Sequence, residues 1–182
     1  MKRHLLLISL VLFIWGALYA QESSIILETS YFRPSDQAFR EVYGSGLQVG
    51  GELQVDVLKK TFLWLGASYF SKKGELTFTK EEITLRIIPV YLGVGYRFTE
   101  ERVIPYLSVG MGIHFYREIA PLDTVKYARF GYSAQTGVLV ELASKFSLEL
   151  EVNYSSCTIK SDGTAINIGG IGVGIGLRYR LK

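Results

Sequence analysis

Acidic and basic side chains recur at alternate positions within runs that are otherwise apolar. Glu149 and Glu151 interleave with Leu148, Leu150 and Val152, and Arg178 and Arg180 with Leu177, Tyr179 and Leu181. Glu28, Glu52, Asp56, Arg97 and Glu141 occupy similar settings. Paired carboxylates suit general acid–base hydrolysis. The same residue types also make an ion network, and each carboxylate here has an arginine candidate near it. A lone charge in a poorly solvated interior is heavily penalised, so that reading sets Glu149 and Glu151 beside Arg178 and Arg180.

Other chemistries find less material. Nucleophilic catalysis needs a histidine beside its serine. Beyond residue 20 the chain has only His114, in Gly112-Ile113-His114-Phe115-Tyr116, with no His-x-Ser pattern around it. One histidine cannot build a metal site alone. The single cysteine, Cys157, excludes a disulfide scaffold and multi-cysteine zinc modules, and reads as a spare thiol. The run Gly169-Gly170-Ile171-Gly172-Val173-Gly174 lacks the following helix that a dinucleotide site requires. Asn153-Tyr154-Ser155 matches a glycosylation sequon but falls inside a strand facing the interior. The expectation is a non-enzymatic protein without cofactor or metal.

A chain of 182 residues suits one domain. Residues 1–20 read as a secretory leader: Lys2 and Arg3 precede an apolar stretch from Leu5 to Trp15, and small Ala20 offers the cut before Gln21. The expected division is therefore a leader over 1–20 and a barrel domain over 21–182. Without Lys2 and Arg3 the chain carries 18 basic against 17 acidic side chains, which excludes the clustered basic surface of a nucleic-acid binder.

From Gln21 onward the dominant period is two, the period of strands. Leu47, Val49, Leu53, Val55 and Val57 share one face against Gln48, Gly50, Glu52, Gln54 and Asp56. Ile171, Val173, Ile175, Leu177, Tyr179 and Leu181 alternate with glycines and arginines. Eight such strands are expected, at 25–32, 47–57, 62–70, 88–98, 105–116, 130–142, 146–154 and 171–181, with Pro89 marking a bulge. Short turns join the second strand to the third, the fourth to the fifth and the sixth to the seventh. The longer connections cover 33–45, 71–82, 117–129 and 158–166. In the first of these Ser35 caps a brief helix closed by Gly44. In the second, alternation continues through Leu76, Phe78, Ile83 and Leu85, placing the turn at Lys80-Glu81-Glu82. All short turns at one end and all long loops at the other is the pattern of outer-membrane barrels.

Alternation does not by itself choose between an apolar cavity and an apolar exterior. A secreted lipocalin-like barrel would line a ligand cavity with the apolar face. The continuous apolar face edged with Tyr31, Tyr69, Tyr96, Phe98, Phe115, Phe146, Tyr154 and Tyr179 suits a lipid contact with aromatic girdles. Glycine on the opposite face (Gly50, Gly66, Gly93, Gly95, Gly110 and Gly112 among others) leaves room in a crowded interior. The reading is an all-β, eight-stranded antiparallel transmembrane barrel. Its strands must close, because an open edge in hydrocarbon leaves backbone groups unpaired. An interior of that size is just wide enough for side chains, so Glu28, Glu52, Asp56, Arg97, Glu141, Glu149, Glu151, Arg178 and Arg180 are assigned to a structural plug, with a narrow passive channel as the alternative.

The final strand, GVGIGLRYRLK, resembles the C-terminal strand by which outer-membrane barrels are recognised for assembly, with Leu181 where that pattern favours an aromatic. The whole of 21–182 resembles the small eight-stranded barrels typified by the OmpA transmembrane domain and the OmpX/Ail group. That resemblance implies export through a cleaved leader to the outer membrane of a Gram-negative-type cell, with membrane lipid and the barrel-assembly machinery as partners. The long loops, with Phe39, Tyr43, Lys72, Lys73 and Tyr127, are the place for an extracellular ligand. Lipid A deacylases and palmitoyltransferases share the architecture, but His114 lacks their serine.

Overall fold

The computed structural model describes residues 22–75, 82–121, 124–161 and 164–181. The expected leader over 1–20 lies outside these residues, as do Leu76, Phe78, Lys80 and Glu81 of the second connection.

Eight antiparallel strands close into a barrel: β1 (Ser23–Pro34), β2 (Gly46–Asp56), β3 (Thr61–Glu75), β4 (Glu82–Arg97), β5 (Val103–Ile119), β6 (Thr124–Ala143), β7 (Phe146–Ser156) and β10 (Gly170–Arg180). Each strand pairs with its sequence neighbours, and β1 closes on β10 from Ser24↔Arg180 to Pro34↔Gly170. A separate hairpin, β8 (Thr158–Ser161) with β9 (Thr164–Asn167), rises between β7 and β10. No helix among the described residues is long and apolar enough to cross a membrane.

The apolar face points outward. Leu47 is 71% exposed and Met111 62%, whereas Glu149 on the opposite face is 3% exposed. Ile171, Val173, Ile175, Leu177 and Tyr179 are all exposed along β10. Aromatic pairs edge this surface, among them Tyr96 with Phe98, Phe146 with Tyr179 and Tyr132 with Tyr154.

Several local expectations need correction. The helix α1 (Gln37–Tyr43) is capped by Asp36, not Ser35: the Asp36 carboxylate accepts from the Phe39 N–H at 3.0 Å. Gly44 closes it with φ of 67°, a conformation that favours glycine. Pro89 makes no bulge. The β3–β4 register is the same at Ala67↔Val90 and Phe70↔Ile87, with only the pairs between them missing, because proline has no N–H to give. The register shift falls instead between Glu141 and Ala143, where β6 meets β7. Strand reaches into the connection over 71–82, as its continued alternation led one to expect, with β3 running to Glu75 and β4 starting at Glu82. The connection over 117–129 is mostly strand, since β5 and β6 reach Ile119 and Thr124. The connection over 158–166 holds the β8–β9 hairpin.

Candidate functional site

The lumen differs in chemistry along its length. At the short-turn end, Arg97 on β4 reaches β2, donating to Asp56 at 2.7 Å and Gln54 at 2.8 Å while stacking 4.5 Å over the Phe62 ring. Arg180 bridges Glu141 at 2.8 Å and Glu22 at 3.4 Å. Arg178 donates to the Ser24 hydroxyl at 2.9 Å. These three guanidinium groups border a mouth of about 380 Å³ with Asp56 and Glu141.

Above this mouth the barrel wall divides in two. Strands β3 to β6 send in Phe62, Trp64, Tyr91, Ile104, Tyr106 and Leu139, which form one buried cluster. Trp64 fits because its neighbours in the row are glycines: a Cβ at Gly93 or Gly110 would stand 2.5 or 2.6 Å from the indole. Phe62 uses Gly95 in the same way, where a Cβ would lie 2.2 Å from the ring. The opposing wall, from β1, β2 and β7, carries Glu28, Glu52, Glu149 and Glu151. Gln54 donates to Glu52 and Asn153 to Glu151, each at 2.7 Å, and the Tyr106 hydroxyl reaches Glu151 at 3.4 Å. A small cavity of about 40 Å³ lies between the two walls, touched by Glu28, Glu52, Trp64 and Ser133.

The expected pairing of Glu149 and Glu151 with Arg178 and Arg180 is therefore corrected. The β7–β10 register sets Glu149 opposite Gly176, Glu151 opposite Gly174 and Arg178 opposite Ser147. Among the described residues, ion pairs in the lumen lie at the short-turn end, and the four upper glutamates take amide or phenol donors or none. Of the nine network residues, Asp56 with Arg97 and Glu141 with Arg180 are brought together as ion pairs.

Toward the long-loop end the inward face turns apolar. Phe32, Phe70, Ile83, Leu85, Ile87, Tyr116, Cys157, Ile159 and Ile168 form a buried cluster, covered by Phe39 and Tyr43 of α1. His114 points inward beneath it and shares a hydrogen bond with the Tyr91 hydroxyl. Cys157 is buried, its Sγ 3.8 Å from the Arg129 carbonyl, and burial pushes its thiol up to about 11. Burial and the Glu118 carboxylate likewise raise the Tyr43 phenol above its ordinary value. This outer cluster and the inner ring cluster are the features that sequence reasoning missed. The available signals were the even-numbered Phe62 and Trp64 on the glycine face and the odd-numbered Ile83, Leu85 and Ile87 out of phase with Ile88.

The arrangement can seal or structure a lumen. Among the described residues no group of three or more His, Cys, Asp or Glu side chains is placed to hold a metal ion.

Comparison with known proteins agrees with this geometry. The model of the outer membrane protein beta-barrel domain matches residues 21–180. No curated protein matches the chain. Neisserial surface protein A (NspA) is 15% identical, with 86% of this chain and 96% of that one covered at a TM-score of 0.66. OprG from Pseudomonas aeruginosa is 14% identical, with 89% and 97% covered and a TM-score of 0.63. Ail of Yersinia pestis, solved in complex with the heparin analogue sucrose octasulfate, is 15% identical, with 87% and 98% covered and a TM-score of 0.57. At these identities the likeness is one of fold.

Proposed function

The chain belongs to the outer membrane protein beta-barrel domain family, and from that premise we propose that it is a plugged, non-enzymatic barrel acting through its outer surface. Its role is envelope-structural or one of surface interaction at the long-loop end. The observation that carries this reading is the double filling of the lumen. The ring cluster around Trp64 and the outer cluster around Phe70 stand one above the other, and the mouth of about 380 Å³ below gives way to a space of about 40 Å³ between the walls. The smaller space has room for only a few water molecules.

Three further parts belong to the same proposal. Residues 1–20 are a cleaved export leader. The outward-alternating β10 is the strand presented to the assembly machinery. The surface formed by α1, the β8–β9 hairpin and the extended β3–β6 strands is where an extracellular ligand would bind. A planar-bilayer recording on the refolded chain tests the plug. We expect a quiet membrane, and steady ohmic steps would replace the plug with the channel reading.

A further inference from the structure

We propose that Arg86, Arg117 and Lys126 form a binding site for the phosphate groups of lipid headgroups in the leaflet that meets the long-loop end. The inference rests on the membrane position of the barrel and not on whether its lumen conducts.

The register carries the first part of the argument. Arg86 on β4 is directly opposite Arg117 on β5, and Arg117 is directly opposite Lys126 on β6. All three side chains are exposed on the outward face. Side chains directly opposite one another on neighbouring strands lie about 5 Å apart at Cβ, and like charges so placed are destabilising. A row of three cations on three consecutive strands therefore asks for an anion.

The protein does not supply one among its described residues. Glu82, four residues along β4, is engaged by Lys73 at 3.2 Å. Glu118, next to Arg117, faces inward and accepts from the Tyr116 hydroxyl. No ion pair or side-chain hydrogen bond joins Arg86, Arg117 or Lys126 to another described residue.

The height of the row selects the anion. From Phe98, just past the end of β4, the outward positions Tyr96, Val94, Leu92, Val90 and Ile88 along the strand are apolar, and Arg86 is the next. Ten residue steps at about 3.3 Å, tilted about 40°, rise roughly 25 Å, the height of the apolar band of such barrels. On β5 and β6 the row likewise sits one outward step above Phe115 and Ala128. The three cations thus stand where hydrocarbon ends and headgroups begin, in a row that the strand tilt inclines by roughly 3 Å in height per strand, within the depth of a headgroup layer. Arginine favours phosphate there because its planar fork can bind two oxygens at once.

The test uses the refolded full chain in nanodiscs of equal phosphatidylcholine and phosphatidic acid, with the lipids that remain bound read by native mass spectrometry. Wild type should retain at least five times more phosphatidic acid than R86Q/R117Q/K126Q. R33Q, which removes a solitary outward cation on β1, should stay within twofold of wild type. Equal retention by wild type and the triple variant overturns the site. An equal loss in R33Q shows general surface charge and overturns it too. If 20 mM inorganic phosphate abolishes the retention, the ligand is the free ion and the headgroup assignment falls. Arg117→Gln alone gives a second readout that does not need the triple variant to fold. Its urea midpoint should rise in the phosphate-free detergent dodecyl maltoside, where like charges are relieved, and fall once phosphatidic acid is added. A shift of the same sign with and without phosphatidic acid overturns the proposal.

Discussion

The two ends of the lumen solve the same packing problem by opposite means. At the long-loop end, Phe32, Phe70, Leu85 and Ile168 pack like the core of a water-soluble protein under the cover of α1. At the short-turn end, guanidinium groups on Arg97, Arg178 and Arg180 border an open mouth. The difference follows from access to water. Arg180 and Glu141, 30% and 36% exposed, keep part of their hydration, whereas the buried Arg97 and Arg178 are held by Asp56, Gln54 and Ser24. Above the membrane the strands keep rising without lipid on their outer side, and there inward apolar burial is the main source of cohesion.

This contrast predicts unequal costs. The largest should be Phe70→Ala in the outer cluster, about 3–5 kcal/mol in urea unfolding of the detergent-refolded barrel, from lost burial plus the cavity left behind. Arg97→Gln should cost about 2 kcal/mol. It strands the Asp56 carboxylate, whose 15% exposed side chain can still be reached by water, so the cost stays below the usual penalty for a broken buried pair. Arg180→Gln should cost at most about 1 kcal/mol, since its side chain and that of Glu141 are 30% and 36% exposed. A cost for Arg97→Gln equal to that of Phe70→Ala would erase the distinction between the ends.

The subtlest effect is kinetic. With its thiol pushed up to about 11 by burial, Cys157 should hold only about 0.1% thiolate at pH 8. Iodoacetamide should therefore leave it untouched in the folded barrel and modify it readily in urea. Between pH 8 and 10, folded-state labelling should rise about tenfold per unit as the thiolate fraction grows. Rapid labelling at pH 8 without denaturant would mean that the outer cluster opens easily, in contrast to its dense packing.

Strand positions and the outward face were legible because one solvent boundary, lipid against lumen, imposes a two-residue rhythm within the membrane-facing part of each strand. The rhythm loses meaning where both faces are apolar. In Ile83 to Val90 the inward Ile83, Leu85 and Ile87 run straight into the outward Ile88 and Val90, so a phase change had to be noticed to see the outer cluster. Ion partners were less legible than strands, because they depend on register. Shifting β7 against β10 by two residues would place Arg178 opposite Glu149, and nothing within either strand forbids it. Capping chemistry was also close to degenerate at Ser35 and Asp36, two good acceptors in sequence, of which the carboxylate is the one aimed at Phe39. The cavity-filling role of Trp64 was half legible. Glycine abundance was plain, but that Gly93 and Gly110 both lie in the Trp64 row is a fact of pairing.

The seam between β1 and β10 joins residues from opposite extremes of the chain, Ser24 beside Arg180. No cylinder exists until the last strand has been made and brought round, so every shorter intermediate presents two raw borders to its surroundings. The entropy of closing so long a loop grows only slowly with length. Its toll falls on time instead, since contacts this distant in sequence form late. Maturation of this protein should accordingly be all-or-nothing with respect to Gly170–Arg180, however well the first seven strands are formed.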